Sequence, residues 1–323
     1  MGTPAIVLLF AGQGSHFARM GSVSFKTDPV FRDCLFKADR LVRAQSGVDL
    51  IDTIFADGDA WLTDLTISHP AIFAMQWASA ESLRAQGLEG NACLGASLGE
   101  YVALGHAGAA TFSDMLELVM SQARTAVDRI KPGGMMTILA SADFFYTNAE
   151  LFNGCTLAAE NFDRHIVVAG DHKAIEACRA AMDSHGISAF PLNVPFGFHS
   201  PSVDTMKDEF LGAAGAVALA PPEKPIYGCC LAGGTVRPDA AHLWQIVERP
   251  IYFERTVHAI ERDMDLPLYI DCSPSGTLAN FLTYLLGPEH RDRMLALHSP
   301  GRATTADWRT FIAGGQSGHR RRA

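Results

Sequence analysis

The run Asn91-Ala-Cys-Leu-Gly-Ala-Ser-Leu-Gly-Glu-Tyr-Val-Ala-Leu-Gly-His106 changes character in its middle. Asn91–Gly95 is a short apolar stretch closed by glycine, the pattern of a buried strand, and Leu98–His106 reads as a helix. Between them Gly95-Ala96-Ser97-Leu98-Gly99 matches G-x-S-x-G at a strand-to-helix turn. The glycines allow a sharp turn, so the hydroxyl of Ser97 stands at a helix N-terminus, where free amides and the helix dipole favour developing negative charge.

Outward from this turn, strand and helix patterns alternate. Ala5-Ile-Val-Leu-Leu-Phe10 is a continuous apolar run, as expected of a parallel strand buried on both faces. Helical patterns cover Phe31–Gln45, Pro70–Gln86 and Ser113–Ile130. This alternation predicts α/β architecture. From Pro132-Gly-Gly134 the order changes to strand (Met135–Ala140), helix, strand (Thr156–Glu160), strand (Ile166–Ala169), helix (Lys173–His185) and strand (Ala189–Val194). That β-α-β-β-α-β order predicts a ferredoxin-like subdomain over 132–195, inserted into a discontinuous large domain formed by 1–131 and 196–312. A helix near Ser202–Leu211 and strands at Pro225–Tyr227 and Leu268–Ile270 return to the large domain, and 313–323 reads as a disordered tail carrying Arg320-Arg-Arg322.

Bulk composition narrows the function. With 323 residues, 48% hydrophobic and 19% charged, the chain has the make-up of a globular enzyme with a large core. A net charge of −9 gives no nucleic-acid footprint, yet permits an acidic carrier protein to dock on a local basic patch. Seven cysteines without CxxC pairs or zinc spacing predict reduced thiols and a cytoplasmic location. The apolar start lacks a basic leader region and reads as a first strand, and no apolar run approaches the ~20 residues of a membrane span. No metal is expected, since the histidines show no paired ligand spacing.

A nucleophilic serine needs a base, and twelve histidines are available. His199 lies in Pro195-Phe-Gly-Phe-His-Ser200, where the chain rejoins the large domain; His16, His69, His106 and His165 compete with it on chemistry alone. The glycine-rich loop Phe10-Ala-Gly-Gln-Gly-Ser15 lacks the spacing of a phosphate loop, and suits delivery of a backbone amide to a reacting carbonyl.

Taken together, Leu8-Leu-Phe-Ala-Gly-Gln-Gly-Ser15, Gly95-Ala-Ser-Leu-Gly-Glu100, Asn161, Val167-Val-Ala-Gly170, Phe198-His-Ser200 and Ser273-Pro-Ser-Gly-Thr-Leu278 resemble the malonyl-CoA:acyl-carrier-protein transacylases and the acyltransferase domains of polyketide synthases. The resemblance runs in order from about residue 5 to 300. It implies an α/β-hydrolase-like large domain with a ferredoxin-like insert, and a Ser97–His199 dyad. It further implies an imidazole oriented by a backbone carbonyl near Tyr252, and an oxyanion hole from the amides of Gln13 and Leu98. His69, Asn161, Gln122 and Phe196 align with positions that line the substrate site.

Departures from the transferase pattern carry the functional expectation. Where those enzymes place an arginine that grips the malonyl carboxylate, this chain has Gln122, and Arg124 falls about 200° round the helix. The histidine usual before the nucleophile is Ala96. A carboxylate buried without a cation costs on the order of 3–5 kcal/mol, or roughly a hundredfold to several-thousandfold in selectivity. With Asn161-Phe-Asp-Arg-His165 and Pro274-Ser-Gly-Thr-Leu-Ala-Asn-Phe281, the set is most similar to the trans-acting acyl hydrolases of trans-acyltransferase polyketide assembly lines. That similarity implies a free-standing, monomeric protein. It would cleave stalled, uncharged acyl groups from the phosphopantetheine of acyl carrier protein and use no bound cofactor. The alternatives are transfer of a non-malonyl acyl group between thiols, malonyl transfer, and a catalytically silent carrier-binding module.

Overall fold

The computed structural model describes residues 4–302 and 307–314. Five strands, β1 (Ile6–Phe10), β2 (Ala92–Gly95), β7 (Ile226–Gly228), β9 (Leu268–Asp271) and β10 (Met294–Ala296), form a wholly parallel sheet in the order β10-β9-β1-β2-β7. Alternation within β1 shows why the sheet is covered twice. Ile6, Leu8 and Phe10 pack under the helices Pro29–Ser46, Leu65–Ala85 and Phe112–Arg129. Val7 and Leu9 meet the helices Phe253–Asp263 and Thr277–Leu286 on the other face. The continuous apolar run in β1 is thus the mark of a strand with no solvent face.

The second sheet contains β3 (Gly133–Ile138), β4 (Cys155–Phe162), β5 (His165–Asp171), β6 (Ala189–Pro191) and β8 (Ile251–Tyr252), in the order β6-β3-β5-β4-β8. Its first four strands are antiparallel to their neighbours, with the helix His172–Ser184 packed on them. Met136, Ile138, Leu157, Ile166 and Val168 form a separate small core on that side. The alternate residues Met135, Ala159 and Val167 point the other way and join the main core. Strand β8 arrives from the large unit and pairs in parallel with β4, Ala159 opposite Ile251 and Glu160 opposite Tyr252. The small sheet is therefore completed by chain that lies outside 132–195.

Some boundaries differ from the sequence reading for identifiable reasons. The helix expected from Pro70 begins at Leu65, because Asp64 caps it by accepting from the Thr66 amide at 2.9 Å; Pro70 lies inside it. The last strand of the small sheet stops at Pro191, with one further bond to β3 from the Leu192 amide to the Met135 carbonyl at 2.8 Å. Residues 313 and 314 close a helix beginning at 308, so the tail does not start at 313; its remaining residues, including Arg320–Arg322, lie outside the described residues. Among the described residues, no helix is long and apolar enough to cross a membrane.

Candidate active site

The adjacent strands β1 and β2 end side by side, and ligands of parallel sheets bind beyond such carboxyl ends. From β1 the chain enters Gly12-Gln13-Gly14; from β2 it turns through Ala96 and Ser97 into the helix Gly99–His106. Ser97 has φ 53°, a left-handed backbone that a side chain adopts only under local compulsion. The compulsion is close packing: a β-carbon on Gly99 would sit 2.0 Å from the Phe10 carbonyl oxygen, and one on Gly95 would sit 2.4 Å from the Glu100 α-carbon. The turn is driven against β1, which brings Gly12 beside Ser97.

His199 reaches Ser97 from more than a hundred residues away in sequence. Its Nε2 lies 2.9 Å from Ser97 Oγ, and its Nδ1 lies 2.8 Å from the Arg249 carbonyl oxygen. A carbonyl only accepts, so Nδ1 carries the proton and Nε2 presents a lone pair to the serine hydroxyl. Burial pushes the imidazole down to about 4, against the opposing effect of the Arg249 carbonyl, so it is neutral at pH 7. His199 also has a left-handed backbone, φ 58°. Its amide donates to the Val247 carbonyl at 3.2 Å, and the hydroxyls of Ser200 and Ser202 both donate to the Gly197 carbonyl, at 2.7 and 2.5 Å.

The orienting carbonyl is a correction to the expectation of Tyr252. His199 is tied to the C-terminal end of the helix Ala240–Glu248, so the carbonyl that follows that end, Arg249, is the one within reach. Tyr252 is committed elsewhere: it pairs with Glu160 in the small sheet, and its carbonyl accepts from Thr256 at 2.7 Å.

A cavity of about 440 Å³ opens over the dyad. The large unit supplies Gln13, Ala96, Leu98, His69 and Gln122; the small sheet supplies Met135, Thr137, Ala159, Asn161 and Val167. Gln13, Leu98, His69, Asn161 and Gln122 thus all reach the cavity as expected. The amides of Gln13 and Leu98 have no acceptor among the described residues. Asn161 donates to His165 Nδ1 at 3.0 Å. Phe196 is a second correction: it does not line the cavity but packs in the core edge-on to Phe198, whose ring lines the cavity in its place.

The competing histidines also find their places. His16 and His165 line the cavity, His16 bonding the Leu62 carbonyl at 2.8 Å. His106 is buried 3.7 Å from Glu81. None of them is recorded in contact with Ser97 Oγ. Arg124 is exposed, and no Asp, Glu, Lys or Arg is among the residues lining the cavity.

Sequence reasoning missed Gln76. It is fully buried in the helix Leu65–Ala85, and its amide clamps Ala11 from both sides: Oε1 accepts from the Ala11 amide at 2.6 Å and Nε2 donates to the Ala11 carbonyl at 2.9 Å. A single glutamine in an apolar helix was the available signal, since a buried amide needs backbone partners. Also unforeseen is a buried trio beneath the turn, Glu100, Cys230 and His242. Glu100 Oε1 lies 2.7 Å from His242 Nε2, and Oε2 lies 3.7 Å from the Cys230 sulfur.

Comparison with known proteins places this geometry. Residues 7–285 match the family model described as acyl transferase domain. The polyketide biosynthesis protein ThaF of Burkholderia thailandensis is 31% identical over 289 residues, which cover 88% of this chain and 25% of that protein. The polyketide biosynthesis acyltransferase homolog BaeD of Bacillus velezensis is 29% identical over 299 residues, 91% of this chain and 92% of that one. Among solved structures, the acyltransferase domain from the second module of the salinomycin polyketide synthase superposes with a TM-score of 0.84 at 24% identity, covering 97% of this chain and 72% of that chain. MCAT from Streptococcus pneumoniae gives 0.80 at 21%, covering 96% and 99%. These structures share the α/β fold.

Proposed function

Because the chain belongs to the acyl transferase domain family, we propose that it hydrolyses acyl thioesters carried on acyl carrier protein, removing uncharged acyl groups during polyketide biosynthesis. The observation that carries this reading is the cavity wall. Among the described residues it holds no Asp, Glu, Lys or Arg side chain, and Gln122 lines it at the position where the resemblance to the malonyl transferases implies an arginine. A carboxylate entering it would lose water and gain no cation, whereas a neutral chain meets Met135, Val167, Phe198 and Leu278. The names of ThaF and BaeD support polyketide biosynthesis as the setting.

The chemistry follows from the dyad. Ser97 Oγ attacks the thioester carbonyl as His199 Nε2 takes its proton, a transfer prepared by their 2.9 Å contact. The Gln13 and Leu98 amides receive the oxyanion, and His199 returns the proton to the departing phosphopantetheine thiol. Water then attacks the acyl-serine, with His199 again as base. In this reading the protein works as a cytosolic monomer without a bound cofactor, and the carrier arm enters past Leu192 and Phe281 at the cavity rim. Membership of the family equally supports passing the acyl group to a second thiol, and the product separates the two outcomes.

The test incubates the protein with acetyl-, butyryl- and malonyl-carrier proteins and identifies products by mass spectrometry. Free acetic and butyric acids are expected, with malonyl turned over roughly a hundredfold more slowly. Ser97→Ala should form no acyl adduct and show no turnover, and Gln122→Arg should raise malonyl loading relative to acetyl. Acylated acceptor in place of free acid would establish transfer; malonyl preference in the unaltered protein would remove the argument from the cavity wall.

A further inference from the structure

Two side chains in the cavity wall are more than nine-tenths buried and lack partners for their polar atoms. Gln122 is 6% exposed, and its Oε1 meets no donor. His69 is 2% exposed, and neither ring nitrogen has a partner. The helices that carry them, Leu65–Ala85 and Phe112–Arg129, pack against each other, so both present to the same cavity. Burial pushes His69 down to about 3, so the ring is neutral and offers one donor and one acceptor whichever nitrogen holds the proton. On the same wall, Gln13 Nε2 is an unpartnered donor. His16 Nδ1 is an unpartnered acceptor, because Nε2 must donate to the Leu62 carbonyl.

A buried polar group without a partner costs roughly 1–3 kcal/mol, and native proteins satisfy nearly all of them. A cavity built for plain alkyl chains would have apolar residues at these positions. An oxo group only accepts, so it leaves Gln122 Oε1 bare, and a carboxylate opposes it with like partial charge. A hydroxyl donates and accepts at once, so it suits Gln122 in either amide orientation and His69 in either tautomer. We infer that the acyl groups received by this site are hydroxylated, with Gln122 and His69 as the residues that recognise the hydroxyl.

This inference rests on the acyl-enzyme reading above, and the experiment separates the two. Butyryl, 2-, 3- and 4-hydroxybutyryl and 3-oxobutyryl carrier proteins are compared by two rates, acyl-Ser97 formation and release of free acid. At least one hydroxybutyryl positional isomer should load roughly tenfold to a hundredfold faster in kcat/KM than butyryl and 3-oxobutyryl. In Gln122→Leu, with Gln122→Met as the closer match in shape, and in His69→Phe, the ratio of hydroxybutyryl to butyryl loading should fall towards unity. Equal loading of every neutral chain by the unaltered protein overturns the inference and leaves hydrolysis standing. A hydroxyl preference that survives in the variants overturns the assignment to these residues. A loading preference without release of acid sustains the inference while hydrolysis fails.

Discussion

Ser97 and His199 share an unusual property: each holds a left-handed backbone without being glycine, at φ 53° and 58°. Such positions cost on the order of 1–3 kcal/mol each, and the surroundings must supply that. At His199 they do so through the Val247 carbonyl and the two serines closed on Gly197. Opposite the serine, Gln76 does the comparable task for the loop bearing Gln13, since its two hydrogen bonds to Ala11 fix the last residue before Gly12. Gln76→Leu should therefore lower the acylation rate about tenfold to a hundredfold, approaching the loss of one oxyanion donor, while KM changes little. Stopped-flow acylation read beside the melting temperature checks this, and a loss of stability with an unchanged rate would make Gln76 purely structural. The serine was legible in sequence because its requirements are local, a strand, a glycine-lined turn and a helix. Gln76 acts across 65 residues on a backbone group, and nothing in its own neighbourhood announces that contact.

Two helices hold the dyad, and a buried contact joins them. Gly99–His106 begins at the nucleophile turn, while Ala240–Glu248 ends where His199 is anchored. Glu100 of the first lies 2.7 Å from His242 of the second, both almost completely buried. A carboxylate left there without a neighbour is costly, so His242→Leu should destabilise the fold by about 3 kcal/mol. It should also slow acylation and deacylation together, because the helix end that orients His199 is displaced. Urea unfolding and single-turnover rates measure the two effects; a stability loss without any change in either rate would uncouple this contact from the dyad. At this scale the helices read at Phe31–Gln45, Ser113–Ile130 and Lys173–His185 fall within two residues of their bounds, since apolar periodicity is a local signal. Ala240–Glu248, Phe253–Asp263 and Thr277–Leu286, by contrast, were not read at all. Nor did the sequence reading foresee β8, two residues long, whose existence depends wholly on the β4 edge it completes.

For the molecule as a whole, folding buries several imidazoles, both at the cavity between the two sheets and away from it. His199 and His298 are pushed down to about 4 and His69 to about 3, in each case first by burial. An imidazole whose folded value lies below its ordinary 6.5 binds its proton more readily when unfolded. Stability is therefore complete above 6.5 and falls as pH drops from 6.5 towards 4. Asp271 and Glu254, raised by burial, act in the opposite sense over the carboxylate range but are two groups against five, since burial also lowers His16 and His165. The melting temperature should thus be level from pH 7 to 8 and decline between pH 6.5 and 4.5, with proton uptake on unfolding visible by calorimetry in buffers of different ionisation enthalpy. The acid limb of loading by the free enzyme should fall near 4, where His199 takes up a proton. A melting temperature that holds steady down to pH 4.5 would show that these imidazoles are reached by water.

By itself the sequence determined the parts whose physics is confined to neighbours along the chain. These were the buried parallel strand from Ala5 to Phe10, the strand-to-helix turn at Ser97 and the order of elements in the insert. The tertiary structure alone decided which backbone carbonyl turns His199 and which phenylalanine lines the cavity, and it alone lodged Gln76 against Ala11 and His242 against Glu100. Those choices depend on how helix ends and sheet edges meet across 50 to 142 residues of chain. The helix end at Glu248 puts the carbonyl of Arg249, and not that of Tyr252, beside His199, and loop packing puts Phe198 on the wall in place of Phe196, neither of which composition or periodicity discloses.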